Sequence, residues 1–216
     1  MTLRLLAESP ELCIIDGTLA LQIPGFLPLS VDFSRQTVQK RRDAGKKQGL
    51  VRACKPMQGM RIIDATAGWG RDAAVLAGFG ADVLMLERQP MMAALLADGL
   101  ARRSDNDHFK LSLLHTDAKH YLMTLTKAAY PDVIYIDPMH PTRQKSALVK
   151  KDMQALQQLL GADDDVCALL QLALKRTRHR VVVKWPQRLP ALIDPDLSVP
   201  GKTVRFDIYF NRLEDA

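Results

Sequence analysis

Cysteine is scarce: the 216-residue chain has three, Cys13, Cys54 and Cys167. They lie far apart and lack the paired spacing of a zinc site or a disulfide framework, so they read as free thiols with structural roles. Long apolar runs are missing too. No segment approaches the roughly 20 apolar residues that a bilayer requires, which excludes a helical membrane span. Met1 to Ser9 has neither the apolar core nor the small-residue cleavage site of a secretory signal, so a cytoplasmic protein is expected. No internal repeat or low-complexity tract is visible, and the chain reads as a simple succession of elements. Acidic residues are outnumbered, 24 against 30 Lys and Arg, for a net charge of +6. Such a surface favours polyanions without naming one.

What is present is ordinary for a globular protein: 47% hydrophobic and 25% charged residues, in a length that suits one main core with a small appendage. The basic residues are clustered. Between Arg35 and Lys55 there are eight Lys or Arg against the single acid Asp43, and between Lys175 and Arg188 six, with His179. A solvated helix face explains either cluster alone; phosphate contact is the alternative, depending on what each cluster flanks.

From Met60 onward strands and helices alternate. Arg61 to Asp64 reads as a short buried strand, Arg71 to Gly78 as a helix after a glycine turn, and Val83 to Glu87 as the next strand. Pro90 opens a helix through about Arg102. Leu111 to His115 and Asp132 to Asp137 read as the third and fourth strands, Ala147 to Leu160 and Asp164 to Thr177 as helices, and Val181 to Val183 as a fifth strand. This order predicts an α/β fold, a mostly parallel sheet with helices on both faces. Thr203 to Phe210 alternates as a strand with no following helix, after breaks at Pro195 and Pro200-Gly201, so an antiparallel C-terminal strand is expected. Residues 1–55 read as a small N-terminal lobe. It has short strands over Cys13 to Ile23 and Ser30 to Phe33, and a basic helix over Arg35 to Arg52 interrupted near Gly45 and Gly49. The α/β domain then spans 56–216.

Two loops carry the chemistry. Asp64-Ala65-Thr66-Ala67-Gly68-Trp69-Gly70-Arg71-Asp72 follows a strand and opens a helix, where a glycine turn lets a ligand approach the backbone and the helix amino terminus. Gly68, Gly70 and Ala73 alone would also fit a turn without a ligand. Glu87, closing the next strand, stands near the spacing at which an acid binds ribose hydroxyls in such folds. The second loop is Asp137-Pro138-Met139-His140-Pro141, at the end of the fourth strand, where an open α/β sheet borders its ligand crevice. The exocyclic amine of a nucleobase is a poor nucleophile, its lone pair delocalised into the ring. The Asp137 carboxylate and the Pro138 carbonyl can accept its N–H bonds and aim the lone pair at a sulfonium methyl, chemistry that calls for no metal. The plain alternative is that Asp137 caps a turn and Pro138 ends a strand.

The run from Asp137 to Lys151, together with Asp64 to Asp72 and Leu86-Glu87-Arg88, resembles the bacterial small-subunit ribosomal RNA guanine-N2 methyltransferase J family. Leu95 to Leu100, Val181 to Lys184 and Arg205-Phe206-Asp207-Ile208-Tyr209 extend the resemblance over roughly Ile62 to Tyr209. It implies a class I, Rossmann-like methyltransferase that uses S-adenosylmethionine, with small-subunit ribosomal RNA or a 30S particle as partner and the N2 amine of one guanine as acceptor. Beside the turn residues Asp64, Gly68 and Gly70, Arg71 and Asp72 match the family's first cofactor-binding pair and Glu87 and Arg88 its second. Asp117-Ala118 stands where the family has small polar residues after the third strand, and an Asp there can accept from the adenine amine. Asp137 matches the acid after the fourth strand, counted with the cofactor positions as well as the catalytic pair.

Departures are local. His140 replaces an aromatic and keeps a ring that can stack on a base. Trp185 replaces an Arg after Lys184, trading a charge contact for a stacking surface. The N-terminal lobe is shorter and matches only at Val31-Asp32-Phe33 and Arg41-Arg42. His140, Lys145 and Lys184 are the substrate-binding candidates, with Lys150 and Lys151 as further phosphate contacts; a salt bridge to Asp137 is the plainer role for Lys184. Two other classes stay open on the residues: a nicotinamide-dependent oxidoreductase resting on Gly68, Gly70 and Ala73, and a non-catalytic RNA-binding protein resting on the basic clusters.

Overall fold

Seven strands form the main sheet in the order β6-β5-β4-β7-β8-β10-β9. The computed structural model describes residues 10–23, 27–45, 48–104, 109–138 and 165–211. The parallel part is β4 (Arg61–Asp64), β5 (Asp82–Glu87), β6 (Lys110–His115), β7 (Val133–Ile136) and β8 (Arg180–Pro186). The inner strands read as near-continuous apolar runs because both faces of the sheet are covered, whereas the edge strand β6 is mostly exposed. Ile62, Val83, Met85, Val133, Tyr135 and Val182 point to one face, and Ile63, Leu86, Ile134, Ile136, Val181 and Val183 to the other. Each fully buried aliphatic side chain contributes about 1.5–3 kcal/mol.

Helices α3 (Arg71–Gly78) and α4 (Pro90–Ala101) cover the first face, α5 (Ala118–Thr124) and α6 (Val166–Leu174) the second. Pro90 sits in the first turn of α4, where its missing N–H costs nothing. Asp117 caps α5 by accepting the His120 N–H at 3.0 Å, which starts a short helix absent from the sequence expectation. The final strand β10 (Val204–Phe210) runs antiparallel to β8, from Val204 opposite Pro186 to Phe210 opposite Arg180. On its far side it pairs with a further strand, β9 (Leu197–Pro200), where only a turn was expected. The predicted helix from Ala147 to Leu160 lies outside the described residues.

The N-terminal segment forms a three-stranded antiparallel sheet, β1 (Glu11–Ile15), β2 (Thr18–Gln22) and β3 (Leu29–Ser30), then α1 (Arg35–Gly45) and α2 (Gly49–Cys54). Its apolar side chains do not form a core apart. Leu21, Ile23, Val31, Phe33, Val38 and Leu50 pack in one cluster with Ala73, Leu76, Leu95 and Leu96 of α3 and α4. The Phe206 ring of β10 lies so close over Gly49 that a Cβ there would meet it at 2.6 Å.

The second basic cluster divides by strand direction. Arg176 and Arg178 precede β8, at the amino ends of the parallel strands, and serve the backbone. Arg176 donates from Nε to the Leu122 carbonyl at 3.1 Å and from Nη1 to the Tyr130 hydroxyl at 2.7 Å. Arg178 donates to the Ala128 carbonyl at 3.0 Å, and the Arg180 guanidinium lies 5.4 Å from the Phe210 ring centre. Lys184 and Arg188 are at the opposite, carboxyl end.

Candidate functional site

The glycine turn leaves the carboxyl end of β4, between β5 and β7, and is held from both sides. The Ala65 N–H donates to the Tyr135 carbonyl at 2.9 Å and the Ala67 N–H to the Leu86 carbonyl at 3.1 Å. Glu87, nearly buried, accepts from the Gly68 N–H at 2.9 Å and from the Gln89 N–H at 2.8 Å. Burial raises its pKa, the Gln89 and Gly68 N–H groups opposing the shift. Each carboxylate oxygen keeps a further lone pair for a ligand hydroxyl.

Gly68 and Gly70 both have positive φ, 52° and 65°, and their surroundings differ. A Cβ at Gly70 would lie 2.6 Å from Phe33 Cζ and 2.9 Å from Leu96 Cδ2, whereas at Gly68 the nearest atom is the Thr66 carbonyl oxygen at 3.9 Å. The turn is therefore braced from below and open above. Phe33, in the N-terminal segment, is a brace that the glycine pattern alone does not reveal. An open backbone beside an acid that closes the next strand fits the nucleoside part of S-adenosylmethionine.

Asp64 lies under the turn at 1% exposure and accepts the Thr66 N–H at 3.1 Å. Burial pushes its pKa up to about 8, the Thr66 N–H working against the shift and the carboxylates of Asp72, Asp137 and Glu87 adding to it. Thr66 also reaches the second loop: its hydroxyl accepts the Asp137 N–H at 2.7 Å. This hydrogen bond ties the two loops together at the mouth of the crevice.

Lys184 of β8 closes the arrangement. Its Nζ donates to Asp137 Oδ2 at 2.7 Å and to Asp72 Oδ2 at 3.3 Å, and the same Asp72 oxygen accepts the Tyr135 hydroxyl at 2.6 Å. The three side chains of the ion-pair cluster keep about a third of their surface: 28% for Lys184, 30% for Asp72 and 35% for Asp137. Burial raises the Asp137 pKa and Lys184 pulls it back, with a net rise. Burial lowers the Lys184 pKa, but Asp137 and Asp72 outweigh it, so Lys184 stays charged well above neutral pH. Its ammonium is thus turned inward between two carboxylates and sets the charge of Asp137. Thr66 and Tyr135 are contributors that spacing could not have identified.

The remaining described candidates adjoin the ends of strands and helices. Arg71 opens α3 and Arg88 follows β5, both exposed. Asp117, after β6, spends one carboxylate oxygen on the α5 cap, and Ala118 behind it is buried. Pro138 is buried at the end of β7. His140, Pro141, Lys145, Lys150 and Lys151 lie outside the described residues. Trp185 corrects its expectation. At 9% exposure it belongs to the core, packed on the face that holds Val181 and Val183, and its indole N–H donates to the Pro190 carbonyl at 2.8 Å. Side chains alternate along a strand, so a residue following an inward-turned Lys184 must face the opposite layer. It offers no stacking surface.

Comparison with known proteins agrees with this geometry. A family model for putative SAM-dependent methyltransferases matches residues 7–211. The ribosomal RNA small subunit methyltransferase J of Legionella pneumophila (strain Corby) is 61% identical over 193 residues, 88% of this chain and 79% of that protein. The protein of the same name from Coxiella burnetii is 51% identical over 192 residues, 84% of this chain and 74% of the other. The crystal structure of a SAM-dependent methyltransferase from Neisseria gonorrhoeae, 29% identical, superposes with a TM-score of 0.73 and covers 98% of this chain and 87% of that one. On this family match and these identities over most of its length, the chain belongs to the ribosomal RNA small subunit methyltransferase J family and is a SAM-dependent methyltransferase.

Proposed function

We propose that this enzyme methylates the exocyclic N2 amine of a specific guanine in small-subunit ribosomal RNA, in the cytoplasm, on the RNA or a 30S particle. The observation that carries the reading is the placement of Asp137, fixed through its N–H by Thr66 and through its carboxylate by Lys184, directly beside the open glycine turn. S-adenosylmethionine supplies a methyl group on a cationic sulfur. In this reading Glu87 and the Gly68 backbone would hold its nucleoside part, with Arg71, Asp72, Arg88 and Asp117 as further cofactor contacts.

The protein's work on the acceptor is positional. Oδ2 of Asp137 is engaged by Lys184, so Oδ1 is the oxygen to meet the amine, with the Pro138 carbonyl taking its second N–H. Two acceptors in this place orient the amine and draw its lone pair out of conjugation with the ring. Asp137 must be ionised to accept, and the Lys184 ammonium keeps it so against the effect of burial. As the bond from nitrogen to the methyl carbon forms and the methyl–sulfur bond breaks, the sulfur leaving as a neutral thioether, Asp137 would receive the proton that the amine gives up and pass it to solvent. A paired guanine would have to be flipped from its helix, at a cost of roughly a few kcal/mol.

Asp137→Ala should lower methyl incorporation into unmodified 30S particles by roughly a thousandfold with a much smaller loss of RNA affinity. Wild-type turnover in this variant would remove Asp137 from the mechanism. Mass mapping of ribosomal RNA from cells with and without the enzyme tests the acceptor: one guanine should lose its N2 methyl group. An unchanged map would refute the assignment.

A further inference from the structure

The Arg205 to Tyr209 motif in β10 takes no part in the chemistry described above, yet it forms the densest polar network among the described residues. Asp207 is buried and Arg205 largely so, with 1% and 12% of their side chains exposed. The Arg205 Nε donates to both Asp207 oxygens, at 2.9 and 3.0 Å, and the Ser198 hydroxyl donates to Asp207 Oδ1 at 2.8 Å. Nη1 of Arg205 donates to three carbonyls of one turn: Pro186 at 2.9 Å, Gln187 at 3.1 Å and Leu189 at 2.8 Å. The same turn is tied by the Gln187 N–H to the Thr203 carbonyl at 3.0 Å and by the Leu189 N–H to the Pro186 carbonyl at 3.2 Å. Trp185 closes its far side on the Pro190 carbonyl at 2.8 Å.

A buried ion pair is a poor device for stability alone, since an apolar pair of similar volume often serves as well or better. This one aims a rigid guanidinium fork at the backbone of a surface turn and so fixes it. Surface turns are ordinarily among the most mobile parts of a fold. Within this turn stands Arg188, exposed and without an ion-pair or hydrogen-bond partner among the described residues. It follows Lys184 by four residues, so at most about 14 Å of chain separates it from the lysine that grips Asp137. An unpaired arginine on a held turn at the carboxyl edge of the sheet contrasts with Arg176 and Arg178 at the amino edge, whose guanidinium groups are taken up by carbonyls and a tyrosine hydroxyl.

We propose that Arg188 contacts a phosphate of the RNA strand that carries the acceptor base, and that Arg205 with Asp207 is the positioning pair that presents it. The inference rests on the reading that the substrate is RNA. A guanidinium matches a phosphate with two parallel hydrogen bonds, and a turn already ordered in the folded protein loses little freedom when it binds.

The test uses the full-length protein with unmodified 30S particles and with naked small-subunit ribosomal RNA, measuring affinity across a salt series and kcat and KM separately. Arg188→Ala should weaken RNA binding about tenfold and make the slope of log affinity against log salt shallower by about one, with kcat and cofactor affinity unchanged. Arg188→Lys should recover most of the loss. Arg205→Lys, which keeps the charge but not the fork, should raise KM for RNA, and combining it with Arg188→Ala should add little, because both act through one contact. Wild-type affinity and salt slope in Arg188→Ala overturn the contact, and full additivity with Arg205→Lys overturns the positioning role. If Arg205→Lys fails to fold, Arg188→Ala against Arg188→Lys still decides the contact. RNA that is bound with this salt dependence but never methylated would sink the proposed function and leave the contact standing.

Discussion

The two ends of the parallel sheet are both rich in charge, and they use it in opposite ways. At the amino end Arg61, Arg176 and Arg178 donate to backbone carbonyls of the loops that lead into β7 and out of α5. These three arginines are matched to neutral acceptors, so they act as fasteners. At the carboxyl end Asp64, Glu87 and Asp137 are all held above the usual carboxylate range by burial, and Lys184 is shared between Asp72 and Asp137. The charges of Lys184, Asp72 and Asp137 terminate on one another, so a bound cation or a lost proton redistributes them. A basic run in a sequence therefore means different things on either side of one strand.

The contrast breaks most severely if the crevice turn cannot form. Gly70→Ala places a side chain in a left-handed residue and against Phe33 and Leu96, so it should cost about 2–4 kcal/mol and abolish cofactor binding. Denaturant titration and calorimetry check this; wild-type stability would mean the brace is not tight. Lys184→Met leaves Asp137 buried without its cation. Its pKa then rises further, and because the carboxylate is the active form, the acid limb of the pH–kcat profile should move to higher pH. Turnover at pH 7 should fall by roughly 10 to 100-fold and recover in part at pH 9; a parallel loss at every pH would contradict this role.

Asp64 gives a smaller effect, read in stability. Its pKa is about 8 in the fold against 3.8 ordinarily, so folding takes up a proton between those values. The stability it contributes is complete below the unfolded value and is lost as pH rises towards 8. Asp64→Asn should remove that loss, gaining on the order of a few kcal/mol over wild type at pH 8 and little at pH 4. Equal pH dependence of the two proteins in thermal melts would show that Asp64 is already ionised. Least of all, Arg178→Ala at the amino end should lower Tm by about 2–4 °C, the effect of roughly 1 kcal/mol in a chain of this size, and leave kcat untouched. A fall in kcat would blur the division between the two ends.

Much of the fold was legible because it rests on local signals. The parallel strands announce themselves as apolar runs, the glycine turn by its place between a strand and a helix, and Asp137 by closing β7. Other features rest on distant partners. β9 is a largely exposed edge strand that pairs only with β10 in the main sheet, and nothing in Leu197-Ser198-Val199-Pro200 specifies this. Lys184 meets acids 47 and 112 residues away, a meeting that exists only once β4, β7 and β8 lie side by side. Trp185 was misread for a related reason: its neighbour's direction, known only from the sheet, decides which layer it enters. The boundary near residue 55 followed a change in pattern, whereas the apolar contacts across it follow from Phe33 and Leu50 having no other surface to cover.

The Phe206 ring over Gly49 has a consequence for the order of events during synthesis. Helix α2 leaves the ribosome early, but the aromatic surface that covers it belongs to β10, some 150 residues later in the chain. Until that strand emerges, Gly49 stays uncovered, the edge of β8 has no antiparallel neighbour, and the Pro186 to Leu189 turn lacks Arg205. Helix α2 must wait for the last strand, although the rest of the N-terminal segment can already pack on α3 and α4, so a nascent chain halted shortly before β10 would hold its glycine turn and Asp137 without a finished wall beside them. The turn that Arg205 holds is then completed only when the last strand is in place.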